Sequence, residues 1–422
     1  MRVRTKSILL FLSVLLLSNL LKAQEESKFG IEGYGWIGGM YFYDSRQTSS
    51  AREGLLSFYP LNIQRDALGK DINARANSNL NLSSSRIGIK IFTPDVFSAK
   101  TSGVLEADFT GQTDANIHLF RLRQAHISFD WGKTKLLIGH TWSPLFLAEM
   151  IPTIQDLHNG GPFHPFSRTN QIRVDQKLFS GFNLALSAGV QRDYSSIGVN
   201  SLRSPMNQIN SNIPELSMII NYKTKNVFAG VGVENKYLKP RNEYIYNSNK
   251  YKQTELLHSM AYTAFANYKN SFIDIKLQGV IGQNLNDYMM LGGFVESSFD
   301  TINYSFTYKN TETASLWMDI SYPKGKYRGA LFIGYQKNLG FSPDFTAANY
   351  YGTGKDIDNV FRIAPRFEFY PSNNYFITLQ AEYTQASYGI YQPKGGKVED
   401  LNEIGNYRLS LAFVYKFNTP RF

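Results

Sequence analysis

The chain has 422 residues, 43% of them hydrophobic and 14% aromatic, with 27 Tyr, 30 Phe and no cysteine. The lack of cysteine excludes a disulfide framework, a lipidated cysteine at a cleavage site and thiolate metal sites. The formal charge of +10 comes without the basic runs of a nucleic-acid-binding protein, and at a mean hydropathy of −0.29 no stretch beyond the N-terminal one is apolar enough to span a bilayer as a helix.

The N-terminus reads as a secretory signal. Arg2, Arg4 and Lys6 precede an apolar run from Ile8 to Leu21, followed by Lys22-Ala23-Gln24, so cleavage is expected after Ala23. A membrane anchor is the alternative, but a run of about 14 residues falls short of the roughly 20 a helical span needs. The expected organisation is a signal peptide over 1–23 and one domain over 24–422. Loss of Arg2, Arg4, Lys6 and Lys22 takes the formal charge from +10 to +6.

Beyond the signal the hydrophobic period is two almost everywhere. The first strand, Phe29–Tyr43, is rich in glycine (Gly30, Gly33, Gly35, Gly38, Gly39), which marks close approach of backbones or of a neighbouring subunit. Leu80 and Leu82 stand on the opposite phase from Ile87, Ile89 and Ile91, so a bulge is expected near Ser83–Ser85. Phe182–Asp193 puts Leu184, Leu186, Ala188 and Val190 on one face, with Asn183, Ser187 and Gln191 on the other. Similar runs recur at Ile172–Phe179, Glu215–Lys223, Val227–Lys236, Leu257–Tyr268, Phe272–Gln283, Ala314–Tyr322, Tyr327–Lys337, Asn359–Tyr370, Tyr375–Thr384 and Tyr407–Phe417. Their lengths suit tilted transmembrane strands of about 9–11 residues better than soluble strands of about 5–6.

The connections alternate between short and long. The short ones are 131–133, 179–181, 223–226, 268–271, 323–326 and 371–374; the long ones are 44–78, 142–169, 194–212, 238–254, 284–312, 338–358 and 387–402. That asymmetry, together with the aromatic surplus available for interfacial girdles, specifies an all-β transmembrane antiparallel β-barrel in a bacterial outer membrane. Placing Phe299–Tyr308 inside the 284–312 loop gives an even count of about 16 strands, as single-chain barrels require. A soluble β-sandwich is the competing fold; it would need shorter strands and faces packed inward.

Ser85-Arg86-Ile87-Gly88-Ile89-Lys90, Leu105-Glu106-Ala107-Asp108-Phe109, Phe120-Arg121-Leu122-Arg123-Gln124-Ala125-His126 and Ile138-Gly139-His140-Thr141-Trp142-Ser143 stand in the order and spacing of DcaP-like outer-membrane porins. The resemblance covers about residues 80–175 and implies homotrimers of 16-stranded barrels that pass small anionic solutes, dicarboxylates among them. The chain departs in one respect: the best-known member carries a periplasmic coiled coil before its barrel, whereas here the barrel is expected within a few residues of Gln24.

The long segment 142–169 is the third outer loop, which folds inward in general porins. It is unusually apolar, with Leu145, Phe146, Leu147, Met150, Ile151, Ile154, Leu157, Phe163 and Phe166, and such residues need cover. Packing inside the barrel, as a constriction loop carrying Glu149, Asp156, His158 and Arg168, is the expectation; a surface loop seated on a partner is the alternative. Alternation places Arg362 and Arg366, Arg173 and Arg408 in the lumen, since Phe361, Ile363, Phe367, Ile172, Leu409 and Leu411 need lipid. The family register adds Arg86, Arg121 and Arg123, although the strand carrying the last two changes phase near Gln124. These arginines would form one basic half-wall facing Glu149 and Asp156 and favour anions, while the opposite wall offers Glu215, Glu234, Asp274, Lys276 and Asp319. His140 is expected to line the pore. The other histidines, His118, His126, His158, His164 and His258, complete no metal motif, so no metal or cofactor is expected. The partners expected are outer-membrane lipid, small polar or anionic solutes and further copies of the chain. A carbohydrate-selective channel would instead need a ladder of inward aromatics, for which Tyr34, Trp36 and Trp317 are scattered candidates. An outer-membrane hydrolase would need a nucleophile placed with a histidine, which the sequence does not offer.

Overall fold

The computed structural model describes residues 29–82 and 84–421; the expected signal peptide over 1–23 lies outside them. Period-two alternation becomes a closed antiparallel barrel of 16 strands. In chain order the wall is β1 (Gly30–Asp44), β2 (two pieces, Asn77–Asn81 and Arg86–Val96), β3 (Ala99–Asp108), β4 (Arg121–Asp130), β5 (Thr134–Trp142), β6 (Arg168–Lys177), β7 (Phe182–Gln191) and β8 (Glu215–Lys223). It continues with β9 (Val227–Leu238), β10 (Leu257–Lys269), β11 (Asp274–Gln283), β12 (Glu312–Ser321), β13 (Tyr327–Gly340), β14 (Ile357–Phe369), β15 (Tyr375–Tyr391) and β16 (Val398–Asn418). Each strand pairs with its sequence neighbour, and β1 closes the ring on β16 from Tyr34↔Asn418 to Asp44↔Arg408. Closure removes the sheet edges that hydrocarbon could not satisfy.

The two faces differ as a bilayer requires. On β16 Leu409, Phe413 and Tyr415 are exposed while Arg408, Ser410 and Ala412 are buried; on β12 Leu316 is exposed while Trp317 and Asp319 are buried. The outer face meets lipid and the inner face is packed with polar and aromatic groups.

The phase change expected in β2 has a geometric cause. Met40 pairs with Asn81 and Trp36 with Arg86, so residues 82–85 stand opposite only 37–39. One extra residue flips the alternation, and Leu80 and Ile87 consequently both face outward. Ser83 itself is outside the described residues. A second shift lies in β4, where Glu106 pairs with Gln124 but Ala107 with Leu122. Arg123 is the unpaired extra residue, so the buried positions are odd-numbered up to it, at Arg121 and Arg123, and even-numbered beyond it, at Ser128. The glycines serve packing within the chain: a Cβ on Gly88 would lie 2.3 Å from the Tyr34 ring, and one on Gly35 2.2 Å from the Arg86 carbonyl oxygen.

Two sequence-based boundaries need correction. The expected strand Phe299–Tyr308 is two arms of a hairpin, Gly292–Asp300 and Ser305–Asn310, with Tyr350–Thr353 as a third strand, all outside the wall. The expected loop 387–402 is largely strand, because β15 and β16 pair out to Tyr391↔Val398. Ser387 and Tyr388 are buried together and residues 399–403 are exposed together, with a register shift between Tyr388 and Ile390, so no period of two marks these extensions as strand. The long connection after β1 also folds locally, as a hairpin of Thr48–Ala51 and Leu56–Pro60.

Candidate functional site

The apolar residues of the 142–169 segment find their cover in one cluster. Phe146, Met150, Phe163 and Phe166 pack with Phe265, Trp317, Phe332, Val360 and Ala364 of the wall, and with Leu55, Leu56 and Phe58 of the hairpin after β1. Hydrogen bonds then fix the segment. Thr153 donates through Oγ1 to Asp319 of β12 at 2.8 Å, and the Gln155 N–H to Gln380 of β15 at 2.8 Å. Gln336 of β13 donates to the Pro162 carbonyl at 3.0 Å, and Ser315 of β12 to the Phe163 carbonyl at 2.9 Å. These partners stand on the opposite side of the ring from β5 and β6, between which the segment begins and ends.

Arg362 of β14 is the centre of this arrangement and is 0% exposed. Its Nε is 3.0 Å from Glu382 of β15 and donates to Thr384 Oγ1 at 2.8 Å. Nη1 donates to the Gly161 carbonyl at 2.9 Å and lies 3.1 Å from His158 Nε2, while Nη2 donates to the carbonyls of Ser57 and Phe58 at 3.0 and 2.9 Å. One guanidinium thus ties two loops to the wall. The planar fork suits this because all its donors lie in one plane. Beside it Asp156 accepts from Gln380 at 3.0 Å and lies 3.7 Å from Arg408 Nε. Burial alone would raise the Asp156 carboxyl, but the guanidinium groups of Arg408 and Arg362 hold it below its ordinary value. Burial pushes the His158 imidazole down to about 3 and that of His164 to about 4, so both rings are neutral at physiological pH.

The remaining arginines expected in the lumen also carry partners. Arg121 is bidentate to Asp108 at 2.8 and 3.1 Å, and Arg123 reaches Glu106 at 2.9 Å and Asp108 at 2.7 Å. Arg86 stacks on Trp36 at 3.9 Å and lies 3.7 Å from Glu106. Arg168 pairs with Asp193 at 2.6 Å over the Trp142 ring, Arg173 with Asp175 at 2.7 Å, and Arg366 with Glu368. Arg408 donates to the Gly54 carbonyl at 2.6 Å, lies over the Phe42 ring and has Asp44 at 3.8 Å.

The expected basic half-wall opposed by loop acids therefore takes a different form. The neutralising acids stand beside the arginines on the same half of the ring, because a guanidinium removed from water demands a carboxylate within reach. Of the loop acids, Asp156 does approach Arg408, but Glu149 turns to Lys223 of β8 at 2.6 Å. His140 pairs in register with Ala125 and Asn170 and is buried, its Nδ1 3.1 Å from Asn170 Oδ1. Thr141, next in sequence, bonds Gln124 on the inner face.

Sequence reasoning missed the partners more than the arginines. Glu106 and Asp108 were visible as a motif, with the alternation that makes them inward, yet nothing local links them to Arg121 and Arg123. Glu382 and the Ser57 and Phe58 carbonyls had no signal. A further buried group on the other wall joins Glu215 of β8, Glu234 of β9 and Asp287, whose oxygens lie within 4.8 Å of one another, close enough for one cation. Lys236 already supplies positive charge there, 2.6 Å from Asp287, and Gln191 donates to Glu215 and Asp287 at 2.6 and 2.9 Å.

No family model and no curated protein sequence matches the chain. Among solved structures, the outer membrane channel DcaP of Acinetobacter baumannii is similar, at 17% identity and a TM-score of 0.64, covering 94% of this chain and 99% of that one. OmpT of Vibrio cholerae, expressed in the outer membrane, is similar at 9% identity and a TM-score of 0.52, covering 94% of this chain and 100% of that one. The chain therefore has the fold of an outer-membrane porin, consistent with its apolar exterior, and an outer membrane is its place.

Proposed function

We propose that the protein is a porin: a passive outer-membrane channel for small hydrophilic solutes, assembled as a homotrimer and favouring anions, dicarboxylates among them. The observation that carries the reading is the closed barrel with a lipid-compatible outside and a charged, hydrogen-bonded inside. Such an interior is costly in a structure that only has to be stable and useful in one that has to be wet. We read the 142–169 segment as the constriction, because its partners lie on the far wall, and Arg362 as its anchor. The positive balance of the chain favours anions over cations. Purified protein in planar bilayers tests this. Stepwise conductance with an anion-directed reversal potential in a salt gradient is expected, and no channel activity from correctly folded barrel would end the reading.

A further inference from the structure

The mid-depth arginines are matched by acids, so uncompensated charge has to be sought elsewhere in the lumen. A cavity of about 470 Å³ lies at the end of the barrel that carries the short turns, beneath the first part of the 142–169 segment. Short turns mark the periplasmic end of an outer-membrane barrel. Lys133, Lys135, Arg173, Lys177 and Lys223 line the cavity, against Asp130, Glu149 and Asp175, a formal excess of two positive charges. Arg173 is taken by Asp175 at 2.7 Å and Lys223 by Glu149 at 2.6 Å. Lys133, Lys135 and Lys177 are left with Asp130, whose Oδ1 already accepts from the Gly132 N–H at 2.7 Å. Lys135 stands in register between Asp130 and Asp175, so those two acids are shared rather than added to.

Fixed charge of one sign at one mouth, joined to a balanced middle, has a definite electrical consequence. In the charged vestibule current is carried mostly by anions, while in the balanced section both ions carry it. When the voltage drives anions from the vestibule into the middle, both ion types accumulate at the junction and conductance rises. The opposite voltage depletes the junction. We propose that this lysine vestibule is an anion-concentrating site and that it makes the channel rectify, with anion flow from the periplasmic mouth outward exceeding flow inward. The inference rests on the porin reading and names a second site for its anion preference, distinct from the arginines. Its ligands are small hydrated anions, held by charge rather than by a fixed hydrogen-bonding pattern, because lysine ammonium groups act as mobile point charges.

The test is single-channel current in potassium chloride with the barrel inserted in known orientation. At about 0.01 M salt the screening length is about 30 Å and the vestibule field reaches across the mouth; at about 1 M it is about 3 Å and the field is confined to the lysines. Rectification is expected at low salt and is expected to vanish at high salt. The double variant Lys133→Gln, Lys177→Gln removes the formal excess of two charges and should bring the ratio of currents at opposite voltages to unity at low salt, while Lys324→Gln, in the turn between β12 and β13 and outside the cavity, should leave it unchanged. Symmetric current from the parent at low salt, or a folded double variant that rectifies like the parent, overturns the inference and leaves the porin reading standing. Absence of any conductance from the parent overturns the porin reading itself.

Discussion

Replacing Arg362 by methionine keeps a long side chain and removes the charge and every donor. Glu382 then loses a cation at 3.0 Å in a site that water does not reach, and the carbonyls of Gly161, Ser57 and Phe58 lose donors at 2.9 to 3.0 Å. Breaking one side of a buried pair costs about 3–5 kcal/mol, and each carbonyl stranded without a donor about 1–3 kcal/mol. These do not add, because water entering after the first loss satisfies the others. Even about 3 kcal/mol shifts the ratio of seated to unseated loop by roughly a hundredfold. The wall hydrogen bonds of β14 are untouched, so the barrel should fold and insert while the 142–169 segment loosens. Single-channel conductance and open-channel noise should both rise, and protease should cut the segment faster than in the parent. The double variant Arg362→Met, Glu382→Leu removes both ends of the pair; it should recover part of the seating, since the stranded carboxylate is the largest single penalty. A folded Arg362→Met variant with the parent's conductance, noise and protease resistance would refute the view that this guanidinium holds the constriction.

Deleting Glu149–His164 should raise conductance by vacating lumen cross-section, and an unchanged value in a folded deletion would place the segment outside the pore. A Cβ on Gly334 would lie 2.5 Å from the Phe163 ring, so Gly334→Val should displace Phe163 and raise channel noise, measured in the same bilayers; a quiet, parental channel would show that Phe163 does not seat the loop. Acid should loosen the segment. His158 and His164 are held at about 3 and about 4 in the folded chain, so the unfolded segment binds more protons from pH ~6.5 downward. Their neutral burial carries no penalty above that value, and stability is lost progressively as pH falls towards 3 to 4; noise that is flat across this interval would contradict the burial of both rings. The pair Arg362→Gln and Arg366→Gln should shift reversal potential toward cations and slow dicarboxylate uptake, since Glu382 and Glu368 are then left unmatched. Parental selectivity and flux would show that these arginines do not set the ion preference.

Much of the barrel is legible in the chain because a transmembrane strand must alternate. Lipid excludes charge from one face, so Ile363 and Phe367 being outward fixes Arg362 and Arg366 as inward without knowledge of any neighbour. Turn chemistry at 131–133 and 371–374 gives the ends, and the clash of phase between Leu80 and Ile87 gives the bulge. The apolar run through 142–169 announces that a loop needs cover. What the chain alone cannot supply is the identity of contacts made across the ring. Arg362 meets His158 and Ser57, more than two hundred and three hundred residues away in sequence, and no local period records such a pairing. Likewise Glu149 and Asp156 share one loop and one charge, yet Asp156 turns toward Arg408 and Glu149 toward Lys223. Sequence periodicity decides which face a side chain takes, since that is a property of one strand in lipid. Only closure of the ring decides which charges then meet inside it, and so whether an inward arginine is a free pore charge or half of a buried pair.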